Sequence, residues 1–243
     1  SETDVSGVSS VSCGFEHCIA KTIDNRIFTF GENENGQLGQ NNYNDSINPK
    51  YGLDQSGQIL NNIVSVSAGY LHSVVLLNNG SVMSTGDNFY GQLGNGISGT
   101  GVKQNYFLPL SLNGMYDGNN VTQISCGYYH TLILLKNNTV LACGRNDLGQ
   151  LGLGNDISNK NLLIPLEITE QSNVDSIYAG GNSSALLLKS GKVIVFGSNS
   201  NGKLGIETTI TNVTSPTEVL IQNGYLGNNC CNYSLGVNNS SMK

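Results

Sequence analysis

Tryptophan is absent from this chain, proline occurs only four times and histidine three times. No run of about 18 apolar residues exists, so no transmembrane helix is expected, and no charged-then-apolar leader is visible at the start. Charge is scarce: 12% of residues are charged, with 11 basic against 17 acidic, a net charge of −6 and a pI near 4.9. No Lys/Arg cluster occurs. Tight nucleic-acid binding depends on neutralising phosphates, so neither nucleic acid nor an anionic membrane is an expected partner. The six cysteines show no disulfide framework in their spacing and no close Cys/His pattern for zinc. This favours a reducing, intracellular location, cytoplasmic rather than nuclear. The first residue is Ser1 rather than Met, which reads as a piece of a larger product.

What the chain does have is asparagine (34 residues) and glycine (31), with a 38% apolar fraction. Such a composition is compatible with disorder, but Leu, Val and Ile recur at regular intervals, which disorder does not explain. Four 29-residue segments align without a gap: Val11–Gly39, Val66–Gly94, Ile124–Gly152 and Ile177–Gly205, with starts 55, 58 and 53 residues apart. Glycine fills four positions in every copy, from Gly14, Gly69, Gly127 and Gly180 to Gly39, Gly94, Gly152 and Gly205. Asn33, Asn88, Asn146 and Asn199 share a phase, as do Leu38, Leu93, Leu151 and Leu204. The prolines Pro49, Pro109, Pro165 and Pro216 keep the same period. Proline cannot donate to a sheet ladder, so each is expected near the start of an outer strand.

Within a unit, His72–Leu77 is a β-prone apolar run ended by Asn78-Asn79-Gly80, a hairpin signal, and Ser81–Thr85 follows as its partner. Unit four repeats this with Ala185–Leu188 and Lys192–Phe196. No sustained helical period occurs. The fold class read from this is all-β: strands in repeated sets of three or four, the pattern of β-propeller blades that bury their faces against one another. The chain divides into units 11–65, 66–123, 124–176 and 177–229 of one domain, 1–243, with a vestigial fifth unit at 230–243.

These motifs resemble the RCC1 (regulator of chromosome condensation) repeat. Gly69-Tyr70-Leu71-His72-Ser73, Leu76, Gly80, Val82, Gly86-Asp87-Asn88 and Gly91-Gln92-Leu93-Gly94 carry the likeness, as do Cys126–Thr131 and Gly149–Gly152 in unit three. The resemblance implies about four blades of a seven-bladed ring, which at this period would need about 385 residues. Further blades from the same full-length chain are therefore expected partners. Departures include Phe30, Thr85, Cys143 and Phe196 where the family often has Trp, and Ser183 where the other units have His.

Chemistry-bearing residues fall on the repeat. His17, His72 and His130 share one position and read as structural residues that hydrogen-bond a neighbouring turn, not as a metal site. Cys13, Cys126 and Cys231 share another, which Ala68 and Ala179 occupy elsewhere, so that position reads as small and buried. Gly31-x-Asn33-x-x-Gly36 lacks the following helix that a nucleotide fingerprint needs, no Gly-x-Ser-x-Gly elbow occurs, and Glu32 and Glu34 lie in a turn. No catalytic group, cofactor or metal is expected, and nine Asn-x-Ser/Thr sequons are what this composition makes by chance. The variable positions are the candidate interaction surface: Phe15, Glu16, Tyr70, Leu71, Tyr128, Tyr129 and Asn182 after the first glycine, and Glu32, Asp87 and Arg145 after the second. They suggest a non-catalytic protein-binding scaffold. The resemblance implies an alternative, nucleotide exchange on a small GTPase, with acidic residues two after the first glycine. Glu16 fits that pattern; Leu71, Tyr129 and Asn182 do not. A secreted inhibitor is a third reading.

Overall fold

The computed structural model describes residues 7–111, 120–168, 174–206 and 209–220. Its strands form four sheets, each a meander of four antiparallel strands in chain order. Blade 1 holds β1 (Val8–Cys13), β2 (His17–Thr22), β3 (Ile27–Gly31) and β4 (Ser46–Tyr51). Blade 2 holds β5 (Ile63–Ala68), β6 (His72–Leu77), β7 (Val82–Asp87) and β8 (Lys103–Pro109). Blade 3 holds β9 (Val121–Cys126), β10 (His130–Leu135), β11 (Val140–Gly144) and β12 (Lys160–Pro165). Blade 4 holds β13 (Val174–Gly180), β14 (Ser183–Leu188), β15 (Val193–Ser198) and β16 (Asn212–Glu218). The one helical element among the described residues is a 3-10 turn at Ser200–Gly202. The vestigial fifth unit at 230–243 lies outside the described residues.

The second strand of each meander explains the apolar runs. In blade 3, β10 is buried at all six positions because sheets cover both of its faces, and a strand covered on both sides reads as continuous hydrophobic sequence. The core accordingly lies between sheets. One slab joins blades 1 and 2 around Ile19, Ile63, Val75 and Phe107. A second joins blades 2 and 3 around Val74, Ile133 and Leu141, and a third joins blades 3 and 4 around Leu132, Leu151, Leu186 and Phe196. Each such side chain contributes roughly 1.5–3 kcal/mol on burial.

The glycine loops lock one blade to the next. A Cβ on Gly36 would run into the Gln104 carbonyl of β8, and one on Gly91 or Gly149 into Asn161 or Thr214 of the following outer strand. Backbone bonds complete the joint: Asn41 N to Asn105 O, Gly96 N to Asn161 O and Gly154 N to Thr214 O, at 2.8, 2.8 and 2.9 Å. Among the described residues, the outer flanks of blades 1 and 4 have no such neighbours. Val11 is 54% exposed where its counterpart Ile124 is 9% exposed, and a Cβ on Gly202 would meet nothing within 4 Å.

The prolines sit on the outer strands but not at their starts. Pro49 and Pro216 lie inside β4 and β16, and Pro109 and Pro165 end β8 and β12. An outer strand pairs on one side only, so proline is tolerated at any position whose N–H would point to the unpaired edge.

Candidate functional site

Antiparallel meanders send the β1–β2 and β3–β4 types of connection to one end of the sheets and the β2–β3 turns to the other. The variable positions therefore gather on one end, called the upper face here. Its frame is built by three sets of bonds between blades.

The first set uses the histidines. Nε2 of His17, His72 and His130 lies 2.9, 3.1 and 2.9 Å from the hydroxyls of Ser73, Thr131 and Ser184 in the next blade. Each hydroxyl donates its one proton to the backbone carbonyl of Gln37, Gln92 or Gln150, at 2.8 Å in all three. The hydroxyl must then accept from the imidazole, which places a proton on Nε2. Burial keeps the ring otherwise neutral, pulling His17 down to about 4 and His72 and His130 down to about 3. The expected structural role holds, but the partner is a strand hydroxyl of the adjacent blade, not a turn.

The second set runs from Ala68 N to Ser12 Oγ, Cys126 N to Ser67 Oγ and Ala179 N to Ser125 Oγ, at 3.0, 3.0 and 2.8 Å. The third links the upper loops directly: Phe15 N to Tyr70 O at 3.3 Å, Tyr70 N to Tyr128 O at 3.0 Å and Tyr128 N to Gly181 O at 2.7 Å. Glycine at 14, 69 and 127 permits this approach, since a Cβ there would strike both the next blade's carbonyl and the histidine ring of its own blade.

On this frame the aromatic residues form a ladder across three blades. Phe15 stacks on Tyr70 with centroids 4.2 Å apart. Tyr70 meets Tyr128 at 5.2 Å and Tyr129 at 5.3 Å, and Tyr129 meets Tyr90 at 5.2 Å, with Phe89 a further 4.7 Å along. Phe15, Tyr128 and Phe89 are 57%, 47% and 45% exposed; Tyr70, Tyr90 and Tyr129 are half-buried. The guanidinium of Arg145 lies 5.1 Å from the Tyr90 centroid and 5.9 Å from that of Tyr129, within cation–π range. Burial and the neighbouring phenols push Tyr129 above the usual tyrosine range.

Carboxylates collect at the blade 1 end. Glu32 N bonds Glu16 O at 2.8 Å. Burial first, then Glu16, Glu34 and Asp45, raise the Glu32 carboxyl above its ordinary value. Asp87 in blade 2 is likewise raised by burial, against a 2.6 Å bond from Gln92 Nε2.

The structure thus brings Phe15, Tyr70, Tyr128, Tyr129 and Arg145 into one continuous set, with Glu16 and Glu32 at its edge. Leu71 serves through its backbone, its carbonyl accepting from Asp87 N at 2.8 Å. Asn182 is half-buried in blade 4, and its Oδ1 has no partner among the described residues. Sequence reading missed Phe89 and Tyr90. Their signal was an aromatic pair inside the glycine loop of unit two, where the other units carry Glu34-Asn35, Asp147-Leu148 and Ser200-Asn201.

One cysteine expectation is corrected. Cys13 and Cys18 are directly opposed residues of β1 and β2 and form a disulfide across a Cα–Cα distance of 4.2 Å. Cys13 is exposed because no sheet among the described residues covers that flank of blade 1, whereas its counterpart Cys126 is buried. This pairing removes the cysteine-based argument for a reducing compartment. Cys230 and Cys231 lie outside the described residues.

A match to the RCC1-like domain family covers residues 1–242. The human probable E3 ubiquitin-protein ligase HERC6 is 33% identical over 211 residues, 83% of this chain and 19% of the relative. The X-linked retinitis pigmentosa GTPase regulator of Canis lupus familiaris is 33% identical over 156 residues, 64% of this chain and 15% of the relative. Among solved structures, yeast RCC1 (Prp20), crystallised bound to Kap60, superposes with a TM-score of 0.76 at 19% identity, over 88% of this chain and 49% of that one. The chain spans well under a quarter of the length of those two curated relatives.

Proposed function

The chain belongs to the RCC1-like domain family, and on that footing we propose that it is a non-catalytic protein-binding module whose contact surface is the aromatic ladder of the upper face. The observation that carries this is the half-exposed ring series from Phe15 through Tyr70, Tyr128, Tyr129 and Tyr90 to Phe89. Aromatic side chains held on a stiff frame supply large contact area with little ordering entropy, the usual make-up of interface anchors. Backbone bonds between successive upper loops provide the stiffness. The test is co-purification of cellular partners on the wild-type propeller against a Tyr70→Ser, Tyr128→Ser variant of matched fold. A partner retained equally by both argues against this surface.

A second reading is regulation of a small GTPase by nucleotide exchange. It is favoured by a relative that is named a GTPase regulator and by the carboxylates Glu16 and Glu32 on the same face. Leu71, Tyr129 and Asn182, where the family pattern is acidic, weigh against it. Release of a fluorescent guanine nucleotide from a panel of small GTPases decides it: no acceleration at micromolar propeller ends this reading.

A further inference from the structure

Blades 1 and 2 share a local bond that blade 3 has lost on one side only. In the glycine loops of blades 1, 2 and 3 the glutamine Oε1 accepts from a backbone N–H two residues earlier: Asn35 to Gln37 at 3.0 Å, Tyr90 to Gln92 at 2.9 Å and Leu148 to Gln150 at 2.9 Å. With Oε1 held there, the amide orientation is set and Nε2 must look elsewhere for an acceptor. In blades 1 and 2 it donates to the carboxylate of the residue that follows the second glycine, Gln37 to Glu32 at 3.2 Å and Gln92 to Asp87 at 2.6 Å. In blade 3 that residue is Arg145. Gln150 is wholly buried and its Nε2 has no acceptor among the described residues; Arg145 Nε, also buried, has none among them either. Two unpaired donors and a positive charge thus occupy the place where both sister blades set a negative one. Native structures rarely leave buried donors in this state, and a pair of them beside a half-buried charge calls for an acceptor.

We propose that this position on blade 3 is a carboxylate-binding site, completed by an aspartate or glutamate side chain of a partner protein. The incoming carboxylate supplies in trans the acceptor that Glu32 and Asp87 supply within their own blades. Arginine is suited to the task because its planar donors match a carboxylate. Tyr90 and Tyr129 flank the guanidinium at 5.1 and 5.9 Å and limit its rotation. Its present partner is Asp147, 2.7 Å from Nη2 and about half exposed. Asp147 engages Nη2 and leaves the buried Nε without an acceptor among the described residues, so an arriving carboxylate replaces an exposed pair of low worth at the accessible edge of the guanidinium. Charge elsewhere on the face sets the direction of docking. Glu16, Glu32, Glu34 and Asp45 cluster at the blade 1 end and repel an acidic segment, which leaves Arg145 as its landing point at the other end of the ladder.

The site names the chemistry of the partner that the proposed contact surface would take, and so rests on that reading. A small-carboxylate titration nevertheless reads it without any partner. In the wild-type protein, sodium acetate is titrated against a sodium chloride control of equal ionic strength while the Gln150 side-chain amide and Arg145 Nε–H resonances are followed by NMR. Acetate is expected to move both in a saturable way and chloride to leave them in place. In Arg145→Asp, the acetate response is expected to vanish, the Gln150 amide to shift toward the position of the Gln92 amide, and the thermal midpoint to rise by a few degrees. Resonances that ignore acetate in the wild type, or that follow acetate and chloride alike, overturn the carboxylate site and leave the aromatic surface to its own test. A saturable acetate response beside undiminished partner binding by the Tyr70→Ser, Tyr128→Ser variant overturns the aromatic surface alone.

Discussion

His72 donates through Nε2 to the hydroxyl of Thr131, 3.1 Å away in the next blade, and Thr131 donates in turn to the Gln92 carbonyl at 2.8 Å. One hydroxyl therefore satisfies a buried donor and a buried acceptor at once. Thr131→Val keeps the shape and removes both bonds. Leaving His72 Nε2 unpaired costs about 1–3 kcal/mol, while the Gln92 carbonyl keeps a weak bond from Cys143 Sγ at 3.6 Å, so the urea midpoint of Thr131→Val is expected to fall by an amount equivalent to about 2–4 kcal/mol. Thr131→Ser, which keeps the hydroxyl, should lose well under half of that. Equal losses in the two variants would show that packing, not the relay, holds this joint.

The same three histidines make stability depend on pH. Their folded values lie at about 4 and about 3, below the ordinary 6.5. The unfolded chain therefore binds protons that the folded chain refuses. Their contribution is complete above pH 6.5 and is lost as pH falls through the window from 6.5 to the folded values. At pH 5 the loss amounts to about 2 kcal/mol per histidine. His17, with the highest folded value, levels off first. Glu32 and Asp87, raised in the folded state, gain protons more readily there and offset part of the loss at lower pH. Urea midpoints measured from pH 8 to pH 4.5 should fall steeply below pH 6.5, and His72→Gln should flatten the slope by about one proton. A flat profile between pH 7 and pH 5 would contradict this account.

The repeat made the architecture readable. Leu38, Leu93 and Leu151 hold one phase and are all at most 1% exposed, because equal phases occupy equal places in stacked sheets. His72–Leu77 was legible to the residue as β6, since its apolar run ends at a glycine turn. What the chain could not disclose was which residues meet across a joint. The His17–Ser73 bond spans 56 residues and exists only once two blades are placed side by side. Phe89 and Tyr90 join the ladder from a β3–β4 type of loop, whereas Tyr70 and Tyr129 come from β1–β2 types. Only the sheet ends bring those loops together. The Cys13–Cys18 pair escaped because five residues is too short a separation to suggest a framework, yet it suits two opposed positions of one hairpin.

That disulfide should be chemically separable from the other described cysteines. Cys126 and Cys143 are buried, and burial pushes the Cys126 thiol up to about 12 and that of Cys143 higher still, which suppresses the reactive thiolate. Under native conditions alkylation should spare both, and treatment with a dithiol should add label at exposed Cys13 before either. Loop 14–17 should keep its place after reduction, because its counterparts in blades 2 and 3 hold the same bonds without a disulfide: Gly69 N to His72 O and Gly127 N to His130 O, matching Gly14 N to His17 O. The cost of Cys13→Ser is accordingly expected to be at most about 2 kcal/mol, the entropy of so short a loop. Peptide mapping by mass spectrometry and a urea titration check the two parts separately.

Tyr70 should be the energetic centre of the upper face. Its ring contacts Phe15, Tyr128 and Tyr129, whereas Phe89 touches only Tyr90 among the described rings. Interface anchors cluster at the middle of a contact patch, where surrounding groups exclude water, and rim residues contribute little. Tyr70→Ala is therefore expected to weaken partner binding by about 2 kcal/mol or more, and Phe89→Ala by less than about 1 kcal/mol. The loss in Tyr70→Ala has a second component, since the rings it supports lose their packing and must be ordered again on binding. Tyr70→Phe keeps the ring stack and should bind within a few-fold of wild type unless the phenol itself is recognised. Isothermal titration of the four proteins against one partner ranks them. If the Phe89 change were the more costly, the contact would be centred on the glycine loop of blade 2 and the ladder would be its margin.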